Sequence, residues 1–165
     1  MSDYVRFYRG ECTTVIDRLS IFDVLNLDDT GMEHKHGYVQ WTFPMKCLSK
    51  NQVRAATQVL TDEAIGEMMN DDVIMYRIDQ MAGKMLDFWG IRWQYRTEGL
   101  VFVHSRKRFE TKLVKTNHNQ LRMTRLLVFL SCVGRTVLVR NLKELLLENV
   151  PAACSSRRYW QSAGT

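Results

Sequence analysis

Apolar residues recur at steps of three and four along most of this chain, and that period predicts a helical protein. Ile16 and Leu19, followed by Ile21 or Phe22 and Val24 or Leu25, mark a first amphipathic helix over residues 15–27, closed by the turn formers Asp28, Asp29, Thr30 and Gly31. Ahead of it, residues 1–14 carry Tyr4, Phe7 and Tyr8, too many rings for a solvated tail, and are read as an extended arm packed along the body. Ser49 is placed to cap a brief helix through Leu60. Thr61-Asp62-Glu63 has the chemistry of a helix start, a hydroxyl that accepts from exposed amides and two carboxylates at the positive end of the helix dipole. Asn70-Asp71-Asp72 begins a longer helix, in which Ile74, Ile78, Met81, Met85 and Phe88 climb one face until Gly90 ends it.

The pattern is less regular after Gly90. Leu100-Val101-Phe102-Val103 has strand character but no obvious partner, so residues 92–104 are read as an irregular loop or at most a short hairpin. A basic helix follows over 106–115, with Phe109 and Leu113 four apart. Asn117 is placed to cap the most apolar helix, 118–133, where Leu126, Leu127, Phe129 and Leu130 are too dense for a one-sided stripe; Gly134 ends it. Thr136 opens the next, with Leu138, Leu142, Leu145 and Leu146 at core spacing and Pro151 beyond its end. Ser155 or Ser156 caps a last turn carrying Tyr159 and Trp160. The fold class is all-α: one domain over 1–165, six to eight helices, several of them short, around the central helix 118–133.

The densest apolar stretch is 36–44, where Tyr38, Trp41 and Phe43 crowd into a few residues and stop at Pro44, one of two prolines in the chain. Each ring removes roughly 150–250 Å² from water when buried, so the segment is read as a core nucleus, with Gln40 needing partners if it follows the rings inside. The residue before a proline avoids helical angles, so a short helix must break there.

Composition adds compartment and partner class. At 165 residues, 45% hydrophobic and 25% charged, the chain has the size and balance of one globular domain. Cys12, Cys47, Cys132 and Cys154 are scattered, with no Cys-x-x-Cys pair and no charged-then-apolar leader ahead of them, which points to reduced thiols in the cytoplasm or nucleus. The longest apolar run, residues 126–130, is far short of the roughly 20 needed to span a bilayer, so membrane insertion is not expected. The net charge of +5 is uneven: residues 92–125 hold nine basic and two acidic residues, net +7, leaving −2 for the rest.

That basic segment has two readings, a solvated face or a surface for phosphate or an acidic protein. Arg106, Lys107, Arg108 and Lys112 are its candidates, with Arg122 and Arg125, three apart on the apolar helix, either continuing the face or pairing with an acid such as Asp87 or Glu144. Trp93, Tyr95 and Phe109 interleave with the charges, which suits base stacking. Glu33, His34 and His36 are the nearest approach to a metal site, but two residues apart on a helix the imidazoles face different ways and no further ligand is spaced to meet them, so no metal is expected. Cys132 reads as a small core residue. No phosphate-cradling glycine loop, Gly-x-Ser-x-Gly or His-Glu-x-x-His is present, so neither an enzyme nor a cofactor is expected.

Tyr38-Val39-Gln40-Trp41-Thr42-Phe43-Pro44 resembles the Tyr-Ile-Gln-Trp-Leu-Phe-Pro signature of the opioid growth factor receptor conserved domain. Phe7-Tyr8-Arg9, Leu60-Thr61-Asp62-Glu63, Met85-Leu86-Asp87-Phe88-Trp89-Gly90 and His118-Asn119-Gln120-Leu121-Arg122-Met123-Thr124-Arg125-Leu126-Leu127 agree with the family in the same order. The resemblance implies an intracellular, nucleus-associated binding module, described in the family as a receptor for an enkephalin-type peptide that restrains proliferation. Thr42 stands where the signature has leucine, and the long repeat-bearing tail of animal receptors is not part of the sequence. A stand-alone microbial or viral copy would present the same module to a different protein. The expected function is therefore growth or signalling control through a protein or peptide partner, with nucleic-acid binding through 92–125 as the alternative.

The cysteine spacing yields the first prediction. Thiol titration of the denatured, unreduced protein is expected to find four free thiols; two or none would show disulfides and overturn the compartment reading.

Overall fold

A computed structural model gives the fold, describing residues 1–47, 58–94 and 99–165. The chain divides into two compact units, Met1–Ala82 and Gly83–Thr165. Among the described residues there are ten α-helices, one π-helix and a two-stranded hairpin, so the all-α class holds. The helix count exceeds the six to eight expected because the first 45 residues are cut into pieces of one or two turns.

The first unit is organised around a helix where an extended arm was expected. Helix α1 (Asp3–Arg9) starts at Ser2, whose hydroxyl accepts from the Tyr4 amide, and ends at Gly10, whose φ of +83° lets the chain turn into a left-handed cap. It buries Tyr4, Val5, Phe7 and Tyr8 and packs against α2 (Ile21–Leu25), α4 (Gly37–Thr42) and α5 (Asp62–Met69). The expected helix over 15–27 shrinks to α2: Ser20 and Asp23 form a reciprocal capping box that starts it late, while Leu19 donates to the Thr14 hydroxyl in a preceding turn. Val15 and Ile16, counted toward the helical stripe, are exposed. The Asp28–Gly31 stretch, expected to be a turn, instead opens α3 (Asp29–His34), with the Asp28 carboxylate accepting from the Gly31 amide at 2.7 Å. Aspartate serves turns and helix caps by the same hydrogen bond, so sequence alone does not separate the two.

Helix α4 is the signature segment. It ends at Phe43, at φ −128° and ψ 68°, as the following proline requires. Trp41 is 4% exposed and sits edge-on to Tyr4, with centroids 5.7 Å apart, and tilted against Phe7 at 5.6 Å. The Tyr8 phenol donates to the Thr42 carbonyl at 2.5 Å, while the Thr42 hydroxyl turns back to the Tyr38 carbonyl at 3.1 Å. Helix α5 starts at Thr61, which accepts from the Ala64 amide, and the long α6 (Asp72–Phe88) starts beneath Asp71, which accepts from Val73 and Ile74. The cap proposed at Ser49 and most of its helix lie outside the described residues; 58–60, the expected end, are not helical.

The second unit begins with the last turns of α6 and Gly90, at φ +79°, where a Cβ would stand 2.4 Å from the Ser105 carbonyl. The chain then forms β1 (Ile91–Gln94) and β2 (Leu100–Val103), antiparallel, with Ile91 opposite Val103 and Gln94 opposite Leu100. The strand that lacked a visible partner pairs with the four residues just after the helix. Beyond it, the basic helix is a short α7 (Arg106–Arg108) running into a π-helix (Phe109–Val114). Helix α8 (Asn117–Cys132) is the central helix of this unit, packed against the π-helix, α9 (Thr136–Asn149) and α10 (Arg157–Ser162). Asn117 lies inside α8 and does not cap it; the N-cap is Thr116.

A π-helix leaves its last carbonyls without the usual intrahelical donors. Side chains of α8 supply them. The Asn119 amide donates to the Lys112 carbonyl at 2.8 Å, and the Gln120 amide donates to Val114 at 2.8 Å and Leu113 at 3.3 Å. The Gln120 oxygen accepts from the Ser156 hydroxyl at 2.8 Å, which ties the chain ahead of α10 to the same residue.

Two stability predictions follow from these contacts. Trp41→Ala is expected to cost about 3–5 kcal/mol, as truncation of a buried aromatic does, read by denaturant or thermal unfolding; an unshifted midpoint would mean that the ring is not packed. Gln120→Ala is expected to cost about 1–3 kcal/mol by removing the Gln120 donor from the Val114 carbonyl and the acceptor from the Ser156 hydroxyl. Amide exchange in residues 109–116 should rise with it.

Candidate functional site

The residues singled out by sequence fall into two groups that the fold treats differently. In the first unit, Tyr38, Trp41, Phe43 and Pro44 are buried, with the Tyr38 phenol donating to the Met32 carbonyl at 3.0 Å. The Gln40 amide donates back to the His36 carbonyl at 2.6 Å, satisfying the need for a partner within its own turn. The signature is a packing motif, its rings buried. His34 ends α3 and His36 is the residue before α4.

In the second unit, only part of the candidate surface is surface. Arg106 and Lys107 are exposed on α7; the Arg106 guanidinium donates to Asn149 at 2.9 Å and lies 5.6 Å from the Phe109 ring centre. Arg108 is half-buried behind them, next to Gly90. Lys112 is half-buried too, its ammonium 4.2 Å from the centre of the Phe88 ring. Arg125 is half-buried on α8. Arg122 is the correction: it is 6% exposed and donates to the Asn119 oxygen at 3.2 Å, so it belongs to the buried amide network that serves the π-helix. Two arginines three apart on a mainly apolar helix point toward the packed side of that helix, whatever their charge suggests.

Asp87, considered as a partner for those arginines, faces the hairpin. Its carboxylate takes Arg92 at 3.2 Å and His104 at 3.0 Å. The hairpin also carries a feature that sequence reading missed. Its alternation puts Ile91, Trp93, Val101 and Val103 on one side and Arg92, Gln94, Leu100, Phe102 and His104 on the other. The second side is exposed throughout, with Leu100 at 47% and Phe102 at 40%. The signal was available in the alternation of residues 100–103, but a strand without an assigned partner has no assigned faces. The stacking candidates fare differently: Phe109 is fully buried, Trp93 half-buried, and Tyr95 lies outside the described residues.

Charge sharpens the contrast. Residues 83–165 hold fifteen basic and five acidic residues, net +10, whereas residues 1–82 hold eight and thirteen, net −5. Arg92, Arg106 and Lys107 therefore project from a strongly positive unit, Arg92 on the hairpin side that also exposes Leu100 and Phe102. That arrangement can attract an anionic partner over a distance and hold it through apolar contact. Among the described residues no group of three histidine, cysteine, aspartate or glutamate side chains gathers to hold a metal, and no helix is long and apolar enough to cross a membrane.

Comparison with known proteins agrees with the motifs. Residues 2–155 match the model of the opioid growth factor receptor (OGFr) conserved region. The chain is 31% identical over 154 residues to opioid growth factor receptor-like protein 1 of Rattus norvegicus, covering 88% of this chain and 32% of that protein. It is 28% identical to the Xenopus tropicalis protein of the same name, over 96% of this chain and 31% of the relative. With the opioid growth factor receptor of Homo sapiens it shares 32% identity over 133 residues, 78% of this chain and 19% of that one. The chain thus spans about a third or less of the length of these relatives. No solved structure matches it. The motif residues, the helical fold and the match over 2–155 together make this chain a member of the opioid growth factor receptor conserved-region family.

Proposed function

We propose that this chain is a non-enzymatic binding module that works inside the cell, in the cytoplasm or nucleus, and regulates growth or signalling by engaging a protein or peptide partner. The observation that carries this reading is the positive second unit with exposed apolar residues beside its cations, Leu100 and Phe102 next to Arg92. Aromatic and arginine side chains together are what protein interfaces concentrate, and a partner with acidic and apolar side chains complements both. The human relative is named opioid growth factor receptor, and that relationship favours a peptide or protein ligand.

Nucleic-acid binding is the second reading, favoured by the net charge of +10 in residues 83–165. Against it, Phe109 is buried and Trp93 half-buried, so among the described residues of 92–125 Phe102 is the one aromatic ring left exposed for stacking. A nucleic-acid groove also draws its affinity from many phosphate contacts at once, each releasing condensed counterions.

Salt dependence separates the readings. Labelled single-stranded and duplex DNA are titrated at about 50 and 200 mM salt, where a protein making several phosphate contacts loses orders of magnitude in affinity. The expected result is weak binding at the lower salt and none measurable at the higher. In parallel, proteins captured from extract should be the same with and without nuclease and should be lost when Arg106, Lys107 and Arg108 are changed together to Glu. Submicromolar nucleic-acid binding at the higher salt, abolished by the triple change, would make the module a nucleic-acid binder instead.

A further inference from the structure

Helix α9 carries a groove that the motifs, the family match and the basic segment leave unused. Thr136, Val139, Arg140, Lys143, Glu144 and Leu147 line it at intervals of three and four, so a single face of the helix forms its length. Ser131 at the end of α8 and the backbone of Ala163 and Gly164 close its sides, around about 300 Å³ of space. The volume is at the low end for small-molecule sites.

The polar groups of this groove are on its rim and are partly fixed. The Lys143 ammonium donates to the Ala163 carbonyl at 2.8 Å, which holds it in place and leaves two further donors. Arg140, one turn earlier, is exposed and makes no hydrogen bond or ion pair among the described residues. Glu144 is the single acid, so the rim carries a net charge of +1, which suits a monoanion better than a dianion. Val139 and Ala163, each 5% exposed, supply apolar floor, joined by Leu147. Acceptors for a peptide's amides are few in the lining, the Glu144 carboxylate and the hydroxyls of Ser131 and Thr136, and each amide left unpaired would carry a cost that an aliphatic chain does not.

We propose that this groove is a binding site for a medium-chain aliphatic carboxylate, with Arg140 and Lys143 holding the head group and Val139, Leu147 and Ala163 the chain. At about 30 Å³ per heavy atom, the share that water takes in the liquid, the space holds roughly ten such atoms. Octanoate, with an eight-carbon chain and two oxygens, is the matching probe.

The test is titration of the whole chain with octanoate below its aggregation range, followed by amide chemical shifts and calorimetry, beside octanol and octylammonium of equal chain length. Saturable shifts confined to residues 131–147 and 163–164, with octanol at least about tenfold weaker and octylammonium silent, are the expected result. Arg140→Gln, which removes no existing contact among the described residues, and Lys143→Gln should each weaken octanoate by about three- to tenfold, the range for an exposed charge-assisted hydrogen bond. Thermal melts of both variants check that the fold is kept. Equal affinity for octanol, unsaturable or dispersed shifts, or wild-type affinity in Arg140→Gln would overturn the proposal. Tighter binding of an N-acetylated dipeptide with a free carboxylate would overturn it in favour of a peptide C-terminus.

Discussion

The carbonyls at the end of the π-helix are the constraint around which the second unit is built. Lys112, Leu113 and Val114 end the π-helix, where the regular ladder stops; the Leu113 carbonyl takes the Thr116 amide, and acceptors left without donors are costly. Asn119 and Gln120 meet that need from the start of α8, and Gln120 then accepts from Ser156 ahead of α10. One glutamine thereby joins the π-helix, the helix that follows it and the chain ahead of α10, 36 residues away. Arg122 completes the set by holding the Asn119 amide in the orientation that lets it donate. The polar residues of the His118–Leu127 motif thus serve the fold.

Burial separates what the motifs are for from what the surface can do. Tyr38, Trp41 and Phe43 are packed residues, and so is Arg122. The exposed groups of the proposed partner surface, Arg92, Leu100, Phe102, Arg106 and Lys107, lie in and just after the hairpin. Family resemblance and that proposed surface therefore rest on different side chains. A relative can keep the first set to fold and vary the second to change its partner.

Long helices and their stops were legible in the sequence. Apolar period, Thr61, Asp71, Gly90, Gly134 and Pro151 located α5, α6, α8 and α9 because cap chemistry and periodicity agreed there. Short helices were not. In α1 a five- or six-residue apolar period is too brief to tell from aromatic packing of an arm, and Ser2 and Gly10 decide the matter only once both are seen as caps of one element. Between 15 and 27, Val15 and Ile16 completed a helical stripe by coincidence, and the Ser20–Asp23 capping box that starts α2 was hidden inside it. The basic surface was half legible: charge counting found the segment, but Lys112 sits on a π-helix, whose geometry changes the angular spacing, and Arg122 faces inward from α8.

Tyr8 sets a limit of another kind. Its ring is fully buried in the first unit and its phenol is committed to the Thr42 carbonyl. Burial first, and the charge of Asp79 second, push its pKa well above the ordinary 10.0. The folded chain therefore keeps a proton that the unfolded chain gives up. Stability from this group is fully present below pH 10 and falls as pH rises beyond it, by about 1.4 kcal/mol per unit, until the buried phenol itself ionises. The Tyr8 part of an ultraviolet tyrosine titration would then report unfolding of the first unit, because that phenolate forms when the helix around it opens.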